Sequence, residues 1–336
     1  MPDVAPDRAN TVPRVQVFIP TYNRLGRLGD AISSVLSQTC AGIEIVVLDN
    51  ASSDGTAEAL GRWAEKYPQI RHVRHVSNIG MIANFNAIAG LVDADFFTVL
   101  TDDDTYEPDF IATALGLFDA WPSIDMVACD APTRVHGVVK GSQLDYWREG
   151  FYPAGSALMK CFLGHYPLIT NCLYRAALRE DFYFHPALGN TGDGYILTSI
   201  LASHDAYVSR FRSGYWNNDG DNASSLQAFD PVLIANTAIY EYGLYRALVQ
   251  AGRLAKLWLL IAWCKRWTTL LVAADKAGFD QLRVQTKVDQ SFGPFSRLLL
   301  KLLWRLRVIR IVPGILSALR RRQRARHRQK DGPRAR

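Results

Sequence analysis

Residues 44–56 read Glu-Ile-Val-Val-Leu-Asp-Asn-Ala-Ser-Ser-Asp-Gly-Thr. The first five, Glu44–Leu48, are an almost unbroken apolar run. A parallel strand buried on both faces needs such a run. Asp49–Gly55 is a turn full of Asn, Ser and Asp, and Thr56–Tyr67 then takes up helical spacing. A buried strand, a polar turn and a helix thus follow one another directly.

The same unit recurs on either side. Upstream, Val15–Ile19 alternates as a strand, Pro20 ends it, and Leu28, Ile32, Val35 and Leu36 recur as one face of a helix. Downstream, strands are expected at Arg71–Val76, Phe96–Leu100 and Met126–Cys129, with helices at Ile79–Leu91 and Glu107–Trp121. Strands alternating with helices mean βαβ units and a right-handed, mostly parallel sheet, an α/β fold. Ligands of such sheets bind beyond the carboxyl ends of the strands. That rule singles out Pro20–Arg24, Asp49–Gly55, Ser77–Gly80 and Thr101–Thr105. The organisation expected is a flexible N-terminus over 1–13, a ligand-binding half over 14–130 and an α+β half over 131–229. A helical region over 230–295 and a basic tail over 296–336 follow.

Composition narrows the class. The chain has 336 residues, 49% hydrophobic and 21% charged, which is globular rather than disordered. Its net charge of +6 is uneven. Residues 296–336 hold 14 Lys/Arg against the single acid Asp331, while the rest holds 24 Lys/Arg against 31 Asp/Glu. A uniformly basic nucleic-acid binder is excluded by that acidic body. The five cysteines include no C-x-x-C pair, so neither a zinc site nor a redox dithiol is indicated. They read as reduced, mostly buried thiols of a cytosolic protein. Met1–Arg14 lacks the apolar run of a signal peptide. Leu254–Cys264, the most apolar stretch, is too short to span a membrane.

Thr101-Asp102-Asp103-Asp104-Thr105 follows a predicted strand directly. Three adjacent carboxylates repel one another and need a compensating charge. Mg²⁺ or Mn²⁺ supplies one, since both favour carboxylate oxygens and keep phosphates in their shell. A solvated turn that caps the next helix is the plainer alternative. The other strand ends shift the balance, because P-T-Y-N-R (20–24), V-L-D-N-A-S-S-D-G-T (47–56), N-I-G-M-x-x-N-F-N (78–86) and T-D-D-D (101–104) stand in register at four of them. Together, over residues 14–110, they resemble the nucleotide-sugar-dependent glycosyltransferases of the GT-A fold, in particular glycosyltransferase family 2.

The resemblance implies a GT-A, Rossmann-like sheet and an inverting transfer from a nucleoside-diphosphate sugar, a UDP-sugar first among them, to a glycan or lipid-linked glycan. The setting implied is bacterial surface-polysaccharide synthesis. By the same resemblance Pro20, Thr21, Tyr22 and Asn23 line the nucleotide pocket, and Asp49 fixes the loop or shares the contact. Asn50 stands where many relatives have an Asp that pairs with a pyrimidine ring nitrogen, and its amide oxygen can accept that N–H. Asn78 and Asn84 border the sugar or ribose. Asp102 and Asp103 meet the donor, and Asp104, with Asp102 in its shell, ligates Mn²⁺ or Mg²⁺. The catalytic base implied is Asp193, in Asn190-Thr191-Gly192-Asp193-Gly194-Tyr195, where many relatives have Glu-Asp. Capping the helix Tyr195–Ala202 is its plainer role.

Three readings remain less directed. Relatives often place a metal-binding His within residues 215–225. This chain has none there, which leaves Asp219, Asp221 or a plain Asn/Gly turn. His165 and His185 read as structural hydrogen-bonders near the acceptor side. The tail suits an anionic membrane surface, with an enzyme peripheral on the inner face of the cytoplasmic membrane. A solvated tail without a partner is the alternative, and nucleic acid is not expected. A nucleotidyltransferase is disfavoured because no Gly-rich basic loop follows the first strand. A non-catalytic binding protein is disfavoured by the intact acidic motif.

Overall fold

The computed structural model describes residues 12–217, 230–252 and Thr269. The chain divides into two compact units, Met1–Ala228 and Phe229–Arg336. In the first, β1 (Val15–Thr21), α1 (Leu25–Leu36), β2 (Ile43–Asp49), α2 (Thr56–Lys66), β3 (Ile70–Arg74), α3 (Met81–Asn86) and β4 (Phe96–Val99) follow the expected alternation. Then come β5 (Thr105–Tyr106), α4 (Phe110–Ala120), β6 (Met126–Asp130), β7 (Pro132–Val135), β8 (Val138–Ser142) and β9 (Gly150–Tyr152). The unit continues through α5 (Leu158–Phe162), β10 (Cys172–Arg175), α6 (Gly192–Ser203), β11 (Ala206–Arg212) and β12 (Gly214–Asn217).

Eight strands form one sheet in the order β3-β2-β1-β4-β10-β6-β11-β9. The first four are mutually parallel, and β10 runs antiparallel between β4 and β6. The strand period of two splits the apolar residues between two cores. Val17, Ile19, Ile45, Val47 and Phe96 face α1, through Leu28, Ile32 and Val35. Phe18, Val46, Leu48 and Phe97 face the other way, toward Tyr174, Phe182 and the α6 residues Ile196, Leu197 and Ile200. All seven residues of β1 are buried, which explains its nearly continuous apolar sequence.

Local differences from the sequence reading have physical causes. Pro20 lies inside β1 rather than ending it. The Phe18 carbonyl accepts from Leu100, so that edge of β1 faces β4, and the β1–β4 ladder stops at Phe18. The missing N–H of Pro20, two residues on, falls on the same edge beyond the ladder. The helix expected at Ile79–Leu91 is α3 followed by a 3₁₀ turn, Ala87–Gly90. Residues 215–217 are not a turn but most of β12, in a small second sheet ordered β5-β12-β7-β8. Gly214 permits that pairing, since a Cβ there would lie 2.2 Å from the Thr105 carbonyl oxygen.

In the second unit, α7 (Pro231–Gln250) starts at Asp230, whose carboxylate accepts from the Val232 and Leu233 amides at 2.7 and 3.3 Å. No helix among the described residues is long and apolar enough to cross a membrane. Asp219, Asp221, Leu254–Cys264 and the basic tail lie outside the described residues.

Candidate active site

The sheet order reverses at β1, with β2 on one side and β4 on the other. An open sheet leaves a crevice at such a point. Here it is a cleft of about 370 Å³. The end of β1 lines it with Pro20, Thr21, Tyr22 and Arg24, and the end of β2 with Asn50. The loop after β3 and α3 add Asn78, Gly80, Met81, Asn84 and Phe85. The end of β4 adds Thr101, Asp102 and Asp103, and Trp216 reaches in from β12.

One end of the cleft is acidic. Thr21 Oγ1 donates to Asp102 Oδ2 at 2.8 Å, and Arg24 Nη1 donates to Asp103 Oδ2 at 2.8 Å while standing 3.5 Å from Asp102 Oδ1. Burial raises the Asp102 carboxyl to about 6 despite the Thr21 bond and the Arg24 charge. Asp104 lies just behind the wall. Its Oδ1 accepts from the Asn217 amide at 2.9 Å and its Oδ2 from Thr101 Oγ1 at 2.9 Å. Burial raises it to about 7, with the Asn217 bond opposing. Asn217 also donates through Nδ2 to the Asp103 carbonyl, so β12 is stitched to the acidic turn twice.

Those observations test the expected divalent ion. Asp102 and Asp104 are buried carboxylates each held back from ionising, and the guanidinium beside the turn, that of Arg24, stands at Asp102 and Asp103, so the site favours added positive charge. Their oxygens are hard donors suited to Mn²⁺ or Mg²⁺. Among the described residues no three His, Cys, Asp or Glu side chains gather into a metal cage. That fits an ion held by one or two carboxylates and completed by substrate phosphates.

The opposite end is made of amides. Asn50 Oδ1 accepts from the Ile79 amide at 2.9 Å, and Asn50 Nδ2 donates to Asn78 Oδ1 at 2.9 Å. Asn78 Oδ1 also accepts from the Gly80 amide at 2.8 Å. Asn84 ties α3 to β2, donating to the Leu48 carbonyl at 3.1 Å and bonding His75 at 2.9 Å.

Other candidates sit off the wall. Asp49 is fully buried beneath the β2 loop, bonded to the Ser52 amide and to Arg74. Asn23, at φ 52°, accepts from the Ser53 amide at 2.7 Å and so joins the first two loops. Asp193 occupies the first turn of α6, and burial raises its carboxyl to about 6. Its flanking glycines are packed against rings. A Cβ on Gly192 would lie 3.1 Å from Phe184, and one on Gly194 only 2.7 Å from Tyr166. A side chain at position 192 would thus press on the Phe184 ring. His185 caps a 3₁₀ turn by accepting from Ala187, and His165 stacks on Tyr146 at 3.7 Å.

Comparison with known proteins bears on the family and the fold. The family model for glycosyl transferase family 2 matches residues 16–181. Through those residues the chain belongs to glycosyltransferase family 2. An abequosyltransferase of Salmonella typhimurium is 34% identical over 119 residues, 34% of this chain and 35% of that protein. The hyaluronan synthase of Pasteurella multocida is 28% identical over 109 residues, 32% of this chain and 11% of the synthase. The chain thus spans about a third or less of these relatives. S. aureus TarS 1–349, solved with UDP-GlcNAc, has a TM-score of 0.59 at 15% identity, over 92% of both chains. A Pyrobaculum calidifontis mannosyltransferase, solved with GDP-Man and Mn²⁺, has a TM-score of 0.52 at 17% identity, over 94% of this chain and 87% of that one. The family 2 fold of this chain is therefore the GT-A fold.

The individual roles read from the sequence leave out Arg24, Gly80, Met81, Phe85, Thr101 and Trp216, all of which line the cleft. Arg24 had a visible signal, a lone cation in a strand-end motif opposite three acids. Trp216 had only its aromatic ring as a signal, because the pairing of β12 with β5 and β7 sets its place.

Proposed function

We propose that this protein is an inverting glycosyltransferase that moves a sugar from a nucleoside-diphosphate sugar to a hydroxyl of a glycan or lipid-linked glycan. The carrying observation is the cleft's two-ended character at the sheet's switch point, amide-rich at one end and acidic with one arginine at the other. A nucleoside joined to a diphosphate has the same two-ended chemistry.

Asp102 and Asp104 are the residues to hold Mn²⁺ or Mg²⁺, which supplies Lewis-acid stabilisation of the leaving diphosphate when bound. Thr21 fixes the Asp102 carboxylate, and the Asn217 amide and Thr101 hydroxyl fix that of Asp104. Arg24 is within reach of the same diphosphate charge. Tyr22 and Trp216 offer faces for the base or sugar. Asp193 takes the proton of the acceptor hydroxyl on a carboxylate oxygen, opposite the leaving group. A carboxyl titrating near 6 is a stronger base than an ordinary aspartate, yet is ionised at neutral pH. Its position off the donor wall accords with a role on the acceptor side.

The bacterial relatives support surface-polysaccharide synthesis as the setting, with the enzyme peripheral on the inner membrane face through residues 296–336. Deleting residues 315–336 is expected to weaken binding to anionic vesicles and leave donor hydrolysis intact. The reading as a whole is tested by nucleoside diphosphate release from a donor panel with Mn²⁺. Release is expected to vanish in Asp104→Ala. Full activity of that variant after metal removal would overturn it.

A further inference from the structure

The two ends of the cleft sort the parts of a donor. The diphosphate belongs with Arg24 and the acids, which leaves the base for the amide end at Asn50 and Asn78. The hydrogen bonds there fix which way each amide faces. Ile79 and Gly80 present backbone N–H groups, which only an oxygen can accept. Asn50 Oδ1 meets the first at 2.9 Å and Asn78 Oδ1 the second at 2.8 Å. Asn50 must then turn its nitrogen toward Asn78 Oδ1, 2.9 Å away. One of the two Asn50 N–H bonds is used in this contact. The other has no partner among the described residues, although Asn50 is only 2% exposed and walls the cleft. A buried N–H without an acceptor is rarer and costlier than a carbonyl with a spare lone pair. The Asn50 position therefore offers the ligand a donor.

We infer that the donor's base presents an unprotonated ring nitrogen at its Watson–Crick edge. Cytosine has one, and so does adenine among the purines. Uracil, thymine and guanine carry a hydrogen on the corresponding nitrogen, which would face the Asn50 N–H donor to donor. Asn50 is thus the residue that selects the base. This departs from the uridine donor expected from the sequence. That expectation gave the Asn50 oxygen to the ligand, whereas the structure gives it to Ile79. The inference rests on the nucleotide-sugar reading above.

Calorimetric titration of the full chain with CDP, ADP, UDP, GDP and dTDP in Mn²⁺ tests it. CDP or ADP is expected to bind at least about tenfold tighter than the other three, the effect of one mismatched hydrogen bond in a buried site. The deaza analogue of the preferred nucleotide, with that ring nitrogen replaced by C–H, is expected to lose the preference. Asn50→Asp, which removes the N–H, is expected to shift preference toward UDP. The analogue needs no variant, so the test survives if Asn50→Asp does not fold. Tightest binding of UDP, GDP or dTDP by the unaltered chain would overturn the inference and leave the proposed function standing. No binding of any nucleoside diphosphate, with or without Mn²⁺, would remove both.

Discussion

The acidic turn after β4 and the start of α6 both hold aspartates assigned to chemistry, yet the fold positions them by opposite means. At the turn, polar bonds do the positioning. Thr21, Arg24, Thr101 and the Asn217 amide each reach a carboxylate oxygen of Asp102, Asp103 or Asp104. At α6, packing does it. No side-chain bond caps the helix, and Phe184 and Tyr166 press on the glycines either side of Asp193. A site held by polar bonds can answer to an arriving ion or phosphate. A site held by rings stays where the core puts it.

The largest effect expected is at the turn. Asp104→Ala should lower turnover by at least about a hundredfold, the scale of removing one strong electrostatic stabiliser. Its melting temperature should fall only slightly, because the acceptor lost to the Asn217 amide and the Thr101 hydroxyl is offset by removal of a buried carboxylate that resists ionising. A large drop in melting temperature would make Asp104 a scaffold residue instead.

Asp193→Asn is expected to lower transfer to acceptor by about 10²–10⁴-fold, the range of general-base catalysis, with donor affinity unchanged. At saturating Mn²⁺, which keeps Asp102 and Asp104 ionised, the wild-type rate should fall as pH drops through about 6. The stability effect runs the other way. The folded carboxyl titrates near 6 and the unfolded one near about 3.9. The folded state thus binds the extra proton between these values, and this group's contribution to stability rises as pH falls from 6 to 4. Asn should abolish that rise and stabilise the protein at pH 8. A variant that keeps full activity, or melts lower at pH 8, breaks the assignment.

Gly194→Ala tests the packing side directly. The new methyl meets the Tyr166 ring, and a loss of about 1–3 kcal/mol is expected in urea unfolding. Gly194→Ala with Tyr166→Ala should recover part of it, since touching residues are not additive. The smallest effect expected is from Trp216→Ala, a rise of about tenfold or less in donor KM with kcat little changed. Equal loss in both constants would mean that the ring acts in the transition state.

The same contrast decides how much could be read from sequence. The four parallel strands were legible because burial on both faces writes itself as apolar runs, as in Glu44–Leu48. Their loops were legible because ligands collect at carboxyl ends of strands. The cleft itself gathers Thr21, Tyr22, Asn50, Asn78, Asp102 and Asp103, as the motifs suggested. What was not legible depends on pairing distant in sequence. Residues 215–217 carry Asn, Tyr and Trp in a turn-like context and became a strand only because Gly214 lets β12 approach β5. The spare N–H of Asn50 was also invisible, since the backbone N–H that takes up its oxygen lies in another loop. Asp193 was reached through its motif, but the reason for its glycine neighbours lies in rings from elsewhere in the chain.

Arg24 gives the acidic turn a permanent rival to any ion. A guanidinium tethered at 2.8 Å from Asp103 competes at a fixed, high effective concentration that no dilution lowers. A free divalent ion offered alone must displace part of that attraction, and its apparent affinity is reduced by the fraction of time Arg24 occupies the carboxylates. A diphosphate arriving with the ion gives Arg24 other oxygens to bind and so withdraws the competitor. On the proposed function, metal and nucleotide would therefore recruit one another, and by thermodynamic reciprocity each would raise the affinity for the other by the same factor.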